Sequence, residues 1–106
     1  MKNYKIMFTV PESHALIVRE AMGKAGAGLI GNYDNCSVAY KVTGYYRPLA
    51  GATPFIGQID KLESVDEIKI ETVCSEDKLK EVIQAIKSVH PYDQIAMDVF
   101  ELANIS

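Results

Sequence analysis

Residues 26–37, GAGLIGNYDNCS, separate the chain's first helix-like pattern from its longest strand-like run. Gly26, Gly28 and Gly31 give this stretch backbone freedom that a β-carbon removes. Asn32, Asp34 and Asn35 favour turns by bonding their short side chains to nearby backbone. The stretch is a hinge, and the elements on either side of it decide the fold.

Upstream, residues 4–10 alternate. Tyr4, Ile6, Phe8 and Val10 share one face and Lys5, Met7 and Thr9 the other, as in a strand with one buried face. Pro11 ends it, because proline cannot donate to a ladder. Pro11, Glu12 and Ser13 suit the first turn of a helix, where N–H groups lack partners and the dipole is positive. Ala15, Val18, Ala21, Met22 and Ala25 form its apolar stripe, and Gly26 is expected just past its end with positive φ. His14 reads as a solvated first-turn residue.

Downstream, Cys36, Val38, Tyr40 and Val42 share a face against Ser37, Ala39, Lys41 and Thr43, giving a strand that reaches about residue 46. Gly44 is expected to mark a bulge or bend late in it. Residues 67–74 alternate again, with Ile68, Ile70, Thr72 and Cys74 opposed to Lys69, Glu71 and Val73. Ser75 is placed to cap the next helix, followed by Glu76 and Asp77. Leu79, Val82, Ile83, Ile86 and Val89 form its single stripe. His90-Pro91 stops it, since the residue before proline avoids the helical region. Residues 96–102 read as the last strand, and residues 103–106 as a fraying tail.

The order is βαββαβ in one domain spanning residues 1–106. It predicts an α+β, ferredoxin-like fold: a four-stranded antiparallel sheet with two helices on one face. The other sheet face is expected to carry Met7, Ala39, Val73, Met97 and Val99 among polar residues, an apolar patch that calls for a partner. At 106 residues the chain can build a core without disulfides. Cys36 and Cys74 sit in apolar runs without metal or redox spacing, so both are expected to be reduced, buried, structural thiols. Asn35-Cys36-Ser37 and Asn104-Ile105-Ser106 fit the glycosylation pattern, but residues 1–10 are too short and polar for a secretory signal. No apolar run spans a bilayer, and the expected location is the cytoplasm with no membrane partner.

The fold hosts many chemistries, so the residues must exclude them one at a time. The first loop, Val10-Pro11-Glu12-Ser13-His14, lacks the paired cysteines of a copper chaperone and the arginine and glycines of an acylphosphatase. A net charge of −3 leaves no basic footprint for nucleic acid, whatever Tyr4, Phe8 and Tyr40 suggest as stacking aromatics. Gly26, Gly28 and Gly31 follow a helix and precede a strand, the reverse of a phosphate loop. Residues 47–62 have no steady period. They hold Pro48, Gly51, Pro54 and Gly57 around the pair Phe55-Ile56, which predicts an ordered loop that docks on something.

Three segments together resemble the Nif-three-like family (NGG-interacting factor, YqfO type). They are residues 25–33 running to Cys36-Ser37, then Pro54-Phe55-Ile56-Gly57 with Leu62-Glu63, and His90-Pro91-Tyr92. The chain is similar, over nearly its whole length, to the small domain of the longer members. The resemblance implies a fold like that of CutA and the P-II (GlnB) proteins, which are trimers. It also implies that the two-metal site of longer members lies in a larger domain that this sequence does not contain. With His14 and His90 as the sole histidines, no His-rich metal centre is expected, and no cofactor. After Tyr92 the run Asp93-Gln94-Ile95 lacks the family's second acid and second proline. The family's glycine-x-glycine before the long loop is reduced to Thr43-Gly44-Tyr45-Tyr46.

Candidate ligand-binding residues are His90, Tyr92, Asp93, Tyr33, Arg47 and Glu63, with Phe55 and Ile56 as loop anchors. Tyr45 and Tyr46 flank the same loop, and Met22 and Met97 read as fillers of core or interface. His90 also suits a purely structural role at a helix end. Glu63, Glu71 and Asp93 would act as acid and base only if the fold brought them together. No catalytic or metal residue is assigned. The expected function is a small trimeric binding or regulatory module taking a small molecule or divalent cation. A protein-interaction domain using Phe55 and Ile56, or a metal-dependent hydrolase, are the alternatives.

Overall fold

Alternation in the first strand predicts one buried face, and Ile6, Phe8 and Val10 are sealed from solvent. The computed structural model describes residues 1–105. Its elements are β1 (Asn3–Pro11), a 3-10 turn (Glu12–His14), α1 (Ala15–Lys24), β2 (Ser37–Tyr46), β3 (Glu63–Ser75), a second 3-10 turn (Glu76–Lys78), α2 (Leu79–Val89) and β4 (Met97–Leu102). The strands lie in the order β2-β3-β1-β4 and every neighbouring pair is antiparallel, the ferredoxin-like arrangement. Among the described residues no helix is long and apolar enough to cross a membrane.

The core lies between the sheet and the two helices. Ile6, Phe8, Val10, Ile70 and Cys74 from the sheet meet Val18 and Met22 of α1 and Val82 and Ile86 of α2. Each large aliphatic or aromatic side chain sealed there contributes roughly 1.5–3 kcal/mol relative to exposure. The stripe of α2 does what its spacing predicts. In α1 the stripe is narrower, and Leu16 and Ile17 are left exposed.

The hinge is tied down by backbone. At the end of α1, Gly26 has φ +113°, Gly26 N–H donates to the Gly23 carbonyl and Ala27 N–H to the Met22 carbonyl. Those are the two bonds of a Schellman motif, with buried Ala27 as its apolar anchor. Gly28 N–H then donates to the Val73 carbonyl at 2.7 Å, and Cys36 N–H donates to the Gly28 carbonyl at 3.0 Å. The hinge is thus strapped to β3 where β2 begins.

The sheet corrects several expectations. Directly paired residues share a face, so Val38 opposite Glu71 puts Val38, Tyr40 and Val42 on the open face and Ala39 on the helix side. In β4, Met97 opposite Phe8 and Val99 opposite Ile6 put both on the helix side, and Asp98, Phe100 and Leu102 on the open face. Of the five residues expected there, Met7 and Val73 lie on the open face. The set slips by one residue in β2 and β4 because both are edge strands with apolar residues on either side.

The open face is mixed rather than greasy. Lys5, Lys69, Glu71 and Asp98 lie among Met7, Val38, Tyr40, Val42, Val73, Phe100 and Leu102. At its centre Glu71 accepts a 2.6 Å hydrogen bond from Tyr40 and pairs with Lys5 at 3.4 Å. Both contacts hold the Glu71 carboxyl below its ordinary range, the Tyr40 bond contributing most.

Other corrections are local. Gly44 pairs regularly with Val65, without a bulge. The Ser75 hydroxyl bonds the Asp77 carboxylate instead of capping the backbone. Cys74 is buried, but Cys36 is half-exposed, and both are free thiols. The tail from Ala103 to Ile105 is exposed and irregular, while Ser106 lies outside the described residues. The β3 strand begins at Glu63, four residues before its apolar alternation, so the β2–β3 ladder runs on past the end of β1.

Candidate functional site

That projecting ladder carries the loop 47–62, and the loop folds back across the open face near the end of β1. Three contacts hold it. Tyr46 donates to the Ile56 carbonyl at 2.5 Å, and Asp60 N–H donates to the Pro48 carbonyl at 2.7 Å. Asp93 accepts from both the backbone N–H and the hydroxyl of Thr53, at 3.0 and 3.2 Å. The Thr53 N–H, then its hydroxyl, keep the exposed Asp93 carboxyl below its ordinary range. Phe55 packs edge-on against His14, centroids 5.4 Å apart, and lies 6.4 Å from the Tyr92 ring.

Between loop and sheet is a cavity of about 550 Å³, within the size range of small-molecule sites. Tyr46, Leu49, Pro54, Phe55 and Tyr92 supply much of its wall, Arg47 and Asp93 add charge, and Gly44 and Glu67 belong to its sheet side.

Glu67 is the residue that sequence reading missed. It sits in an ordinary strand alternation, yet it is only 5% exposed. Its Oε2 accepts a hydrogen bond from the Tyr92 hydroxyl at 2.7 Å. Its Oε1 lies where Gly44 has no side chain, since a β-carbon there would come within 1.8 Å of it. Gly44 leaves room for the Glu67 carboxylate, and its φ is not positive. Burial, then the Glu67 hydrogen bond and charge, push the Tyr92 phenol far above its ordinary range, so it stays a donor at any working pH. Burial does the same more mildly for Tyr46, helped by Glu63 and Glu67.

His90 braces this arrangement from below. Its Nε2 bonds the Thr9 carbonyl at 2.7 Å, and its Nδ1 faces the Tyr92 backbone N–H at 3.1 Å. A carbonyl can only accept and an amide N–H only donate, so the ring is the neutral Nε2–H tautomer. Burial lowers its proton affinity, offset in part by the Thr9 bond and the Glu67 charge, while His14 acts in the same direction as burial.

Two predictions arise from these contacts. Tyr92→Phe removes a hydrogen bond to the Glu67 carboxylate, and should cost about 1–3 kcal/mol in urea unfolding. Unchanged stability would mean that the bond contributes nothing. For His90, the folded chain binds fewer protons than the unfolded chain, whose imidazole titrates near 6.5. The contribution is therefore complete above that pH and is lost as pH falls below it, toward the lowered folded value. The stability difference between wild type and His90→Asn should shrink as pH is lowered through that window. A difference that is flat with pH would sink the assignment of a neutral, buried ring.

The other candidates divide. Arg47, Tyr92, Asp93, Phe55 and Ile56 come together around the cavity, with His90 behind Tyr92. Tyr33 does not join them; it is exposed in the hinge, bridged to Ile30. Glu63 stands beside Gly57 at the base of the loop and does not line the cavity. Glu63 and Glu71 are eight positions apart on β3, about 27 Å along a strand, so Glu63, Glu71 and Asp93 form no acid–base set. His14 is not a free first-turn residue, because Phe55 covers it. Among the described residues no three His, Cys, Asp or Glu side chains gather as a metal site.

No family profile matches the chain. Individual relatives do. The chain is 46% identical over 101 residues to the GTP cyclohydrolase 1 type 2 homolog of Halalkalibacterium halodurans, covering 95% of this chain and 27% of that protein. It is 42% identical over 96 residues to the homolog of the same name from Bacillus subtilis, covering 91% of this chain and 26% of that one. Among solved structures, a Bacillus cereus protein related to NIF3 superposes with a TM-score of 0.85 at 39% identity, over 97% of this chain and 26% of that chain. CutA1 from Pyrococcus horikoshii superposes with a TM-score of 0.71 at 19% identity, over 97% and 86% of the two chains, a likeness of fold alone. The chain thus spans about a quarter of the length of the relatives it matches in sequence. By sequence and fold together, it belongs to the NIF3-like family and corresponds to the segment of the longer members that has a CutA-like, ferredoxin-like fold.

Proposed function

We propose that this chain is a small binding or regulatory module whose ligand occupies the cavity under the loop 47–62, and that it works as a homotrimer in the cytoplasm. The cavity carries the reading. It is walled by aromatic and apolar side chains around a few fixed polar groups, the usual make-up of a ligand site. Its roof is an ordered loop whose Phe55 is held by the chain's own His14 and Tyr92. Phe55 also keeps an exposed edge, so a protein-docking loop is the second reading.

Support for self-assembly is the open sheet face and its neighbours in fold. Val38, Tyr40, Phe100 and Leu102 are exposed there. At its centre Tyr40 and Lys5 both engage Glu71, so covering Glu71 would leave that carboxylate paired. The resemblance to the CutA and P-II trimers points the same way. Two free thiols fit a reducing compartment.

The name of the relatives refers to GTP, and CutA is named for divalent-cation tolerance, so both enter the test. Thermal unfolding of the chain with guanine and adenine nucleotides and with divalent cations should show a raised melting point for at least one of them. Phe55→Ala should abolish that shift. No shift with any of them, together with a strict monomer by light scattering at micromolar concentration, would remove the reading.

A further inference from the structure

We infer that the cavity holds a subsite for a methylated ammonium group, the head of a small organic cation. This rests on the cavity being the ligand site. The first observation is the balance of charge. Of the charged groups that line the cavity, Arg47 and Asp93 are exposed and of opposite sign, while Glu67 is buried. Two exposed opposite charges largely offset each other and are screened by solvent. A carboxylate in a desolvated place acts more strongly, so Glu67 sets the sign of the field inside. On its other flank Glu67 borders a groove with Glu12, Asp66 and Lys41, where acids again outnumber bases. His90, behind Tyr92, is neutral and adds no positive charge.

The second observation is the wall. Tyr46 and Phe55 stand 6.5 and 6.4 Å from Tyr92, tilted by 56° and 47° rather than stacked flat. Both tyrosine hydroxyls are engaged, Tyr46 with the Ile56 carbonyl and Tyr92 with Glu67, so what they offer a guest is ring. Aromatic rings attract a cation lying within about 6 Å of their centroids, most strongly where water is excluded. The third observation decides the kind of cation. Among the described residues no buried side-chain nitrogen or oxygen lacks a hydrogen-bond partner, so the cavity does not call for an N–H donor. No three His, Cys, Asp or Glu side chains gather among them to ligate a bare metal ion. An ammonium whose hydrogens are replaced by methyl groups needs neither. It needs an apolar surround, which Leu49, Pro54 and Ile56 extend, with negative charge close behind the rings.

The test is calorimetric titration of the whole chain with three compounds that share a trimethyl head and differ in charge: choline, 3,3-dimethyl-1-butanol and 3,3-dimethylbutanoate. Choline should bind at least about tenfold more tightly than the alcohol, and the carboxylate should bind most weakly. Glu67→Gln should bring choline close to the alcohol, and Phe55→Ala should weaken choline several-fold. If Glu67→Gln does not fold, the three compounds on the wild-type chain still decide. Equal binding of choline and the alcohol, tighter binding of the carboxylate, or choline binding that Phe55→Ala leaves unchanged overturns the inference. If a compound from the thermal screen binds in a Phe55-dependent way while choline does not bind, the site stands and the ammonium inference falls. If nothing binds, both fall.

Discussion

Gly28→Ala is expected to destabilise the chain by roughly 3 kcal/mol or more, enough to lower the melting point by more than about 10 °C in a domain of this size. Two costs add. Gly28 has φ +79°, a conformation that costs an L-residue about 1–2 kcal/mol. A β-carbon there would also lie 2.4 Å from both the N and the O of Cys36. These are backbone atoms that cannot swing aside, and overpacking of this kind costs about 1–3 kcal/mol. The strap from Gly28 to Val73 and back to Cys36 would have to open, which releases the start of β2 from β3. Gly31→Ala is the control. Its φ is +55° but its β-carbon would meet nothing within 4 Å, so it should lose the conformational part alone. Equal losses at the two positions would show that the strap is not what makes Gly28 special.

Gly44→Ala should cost about 2–3 kcal/mol in the wild-type chain, and little or nothing in a Glu67→Ala background. An alanine in a strand is ordinarily favoured over glycine by roughly 0.5–1 kcal/mol. Here its β-carbon would come within 1.8 Å of Glu67 Oε1. The carboxylate would have to move, and Tyr92 would lose its acceptor. With Glu67 truncated the clash is gone and the ordinary preference returns. Urea unfolding of the two single variants and the double variant gives the coupling, expected at roughly 3 kcal/mol. Strict additivity would show that Glu67 and Gly44 are neighbours without being partners.

Much of the architecture was written in local pattern. The stripe of Leu79, Val82, Ile83, Ile86 and Val89 is found on α2, with Val82 and Ile86 sealed in the core. Gly26 closes α1 with the positive φ its position implied. The alternation of β1 and of the apolar part of β3 put the right residues in the core, because both are central strands with one face pressed on helices. Of the candidate site, the turn at His90, Tyr92 and Asp93 and the loop residues Arg47, Phe55 and Ile56 were legible as punctuation and exceptions: a proline after a helix, and apolar residues in an aperiodic loop.

What the chain alone determined was the kind and order of its elements, since helix stripes, strand alternation and glycine turns each depend on residues within a few positions of one another. What only the tertiary structure decided was which side of the sheet the edge strands present, and that Glu67 is buried. Alternation separates two faces of a strand but does not say which one meets the helices. That is set by pairing with residues far along the chain, as Val38 with Glu71 and Val99 with Ile6. Glu67 reads like any solvated strand acid until the turn after α2 lays Tyr92 on it and β2 leaves a gap at Gly44. A carboxylate's environment is made by whatever the fold brings against it, and no stretch of sequence around Glu67 contains that information.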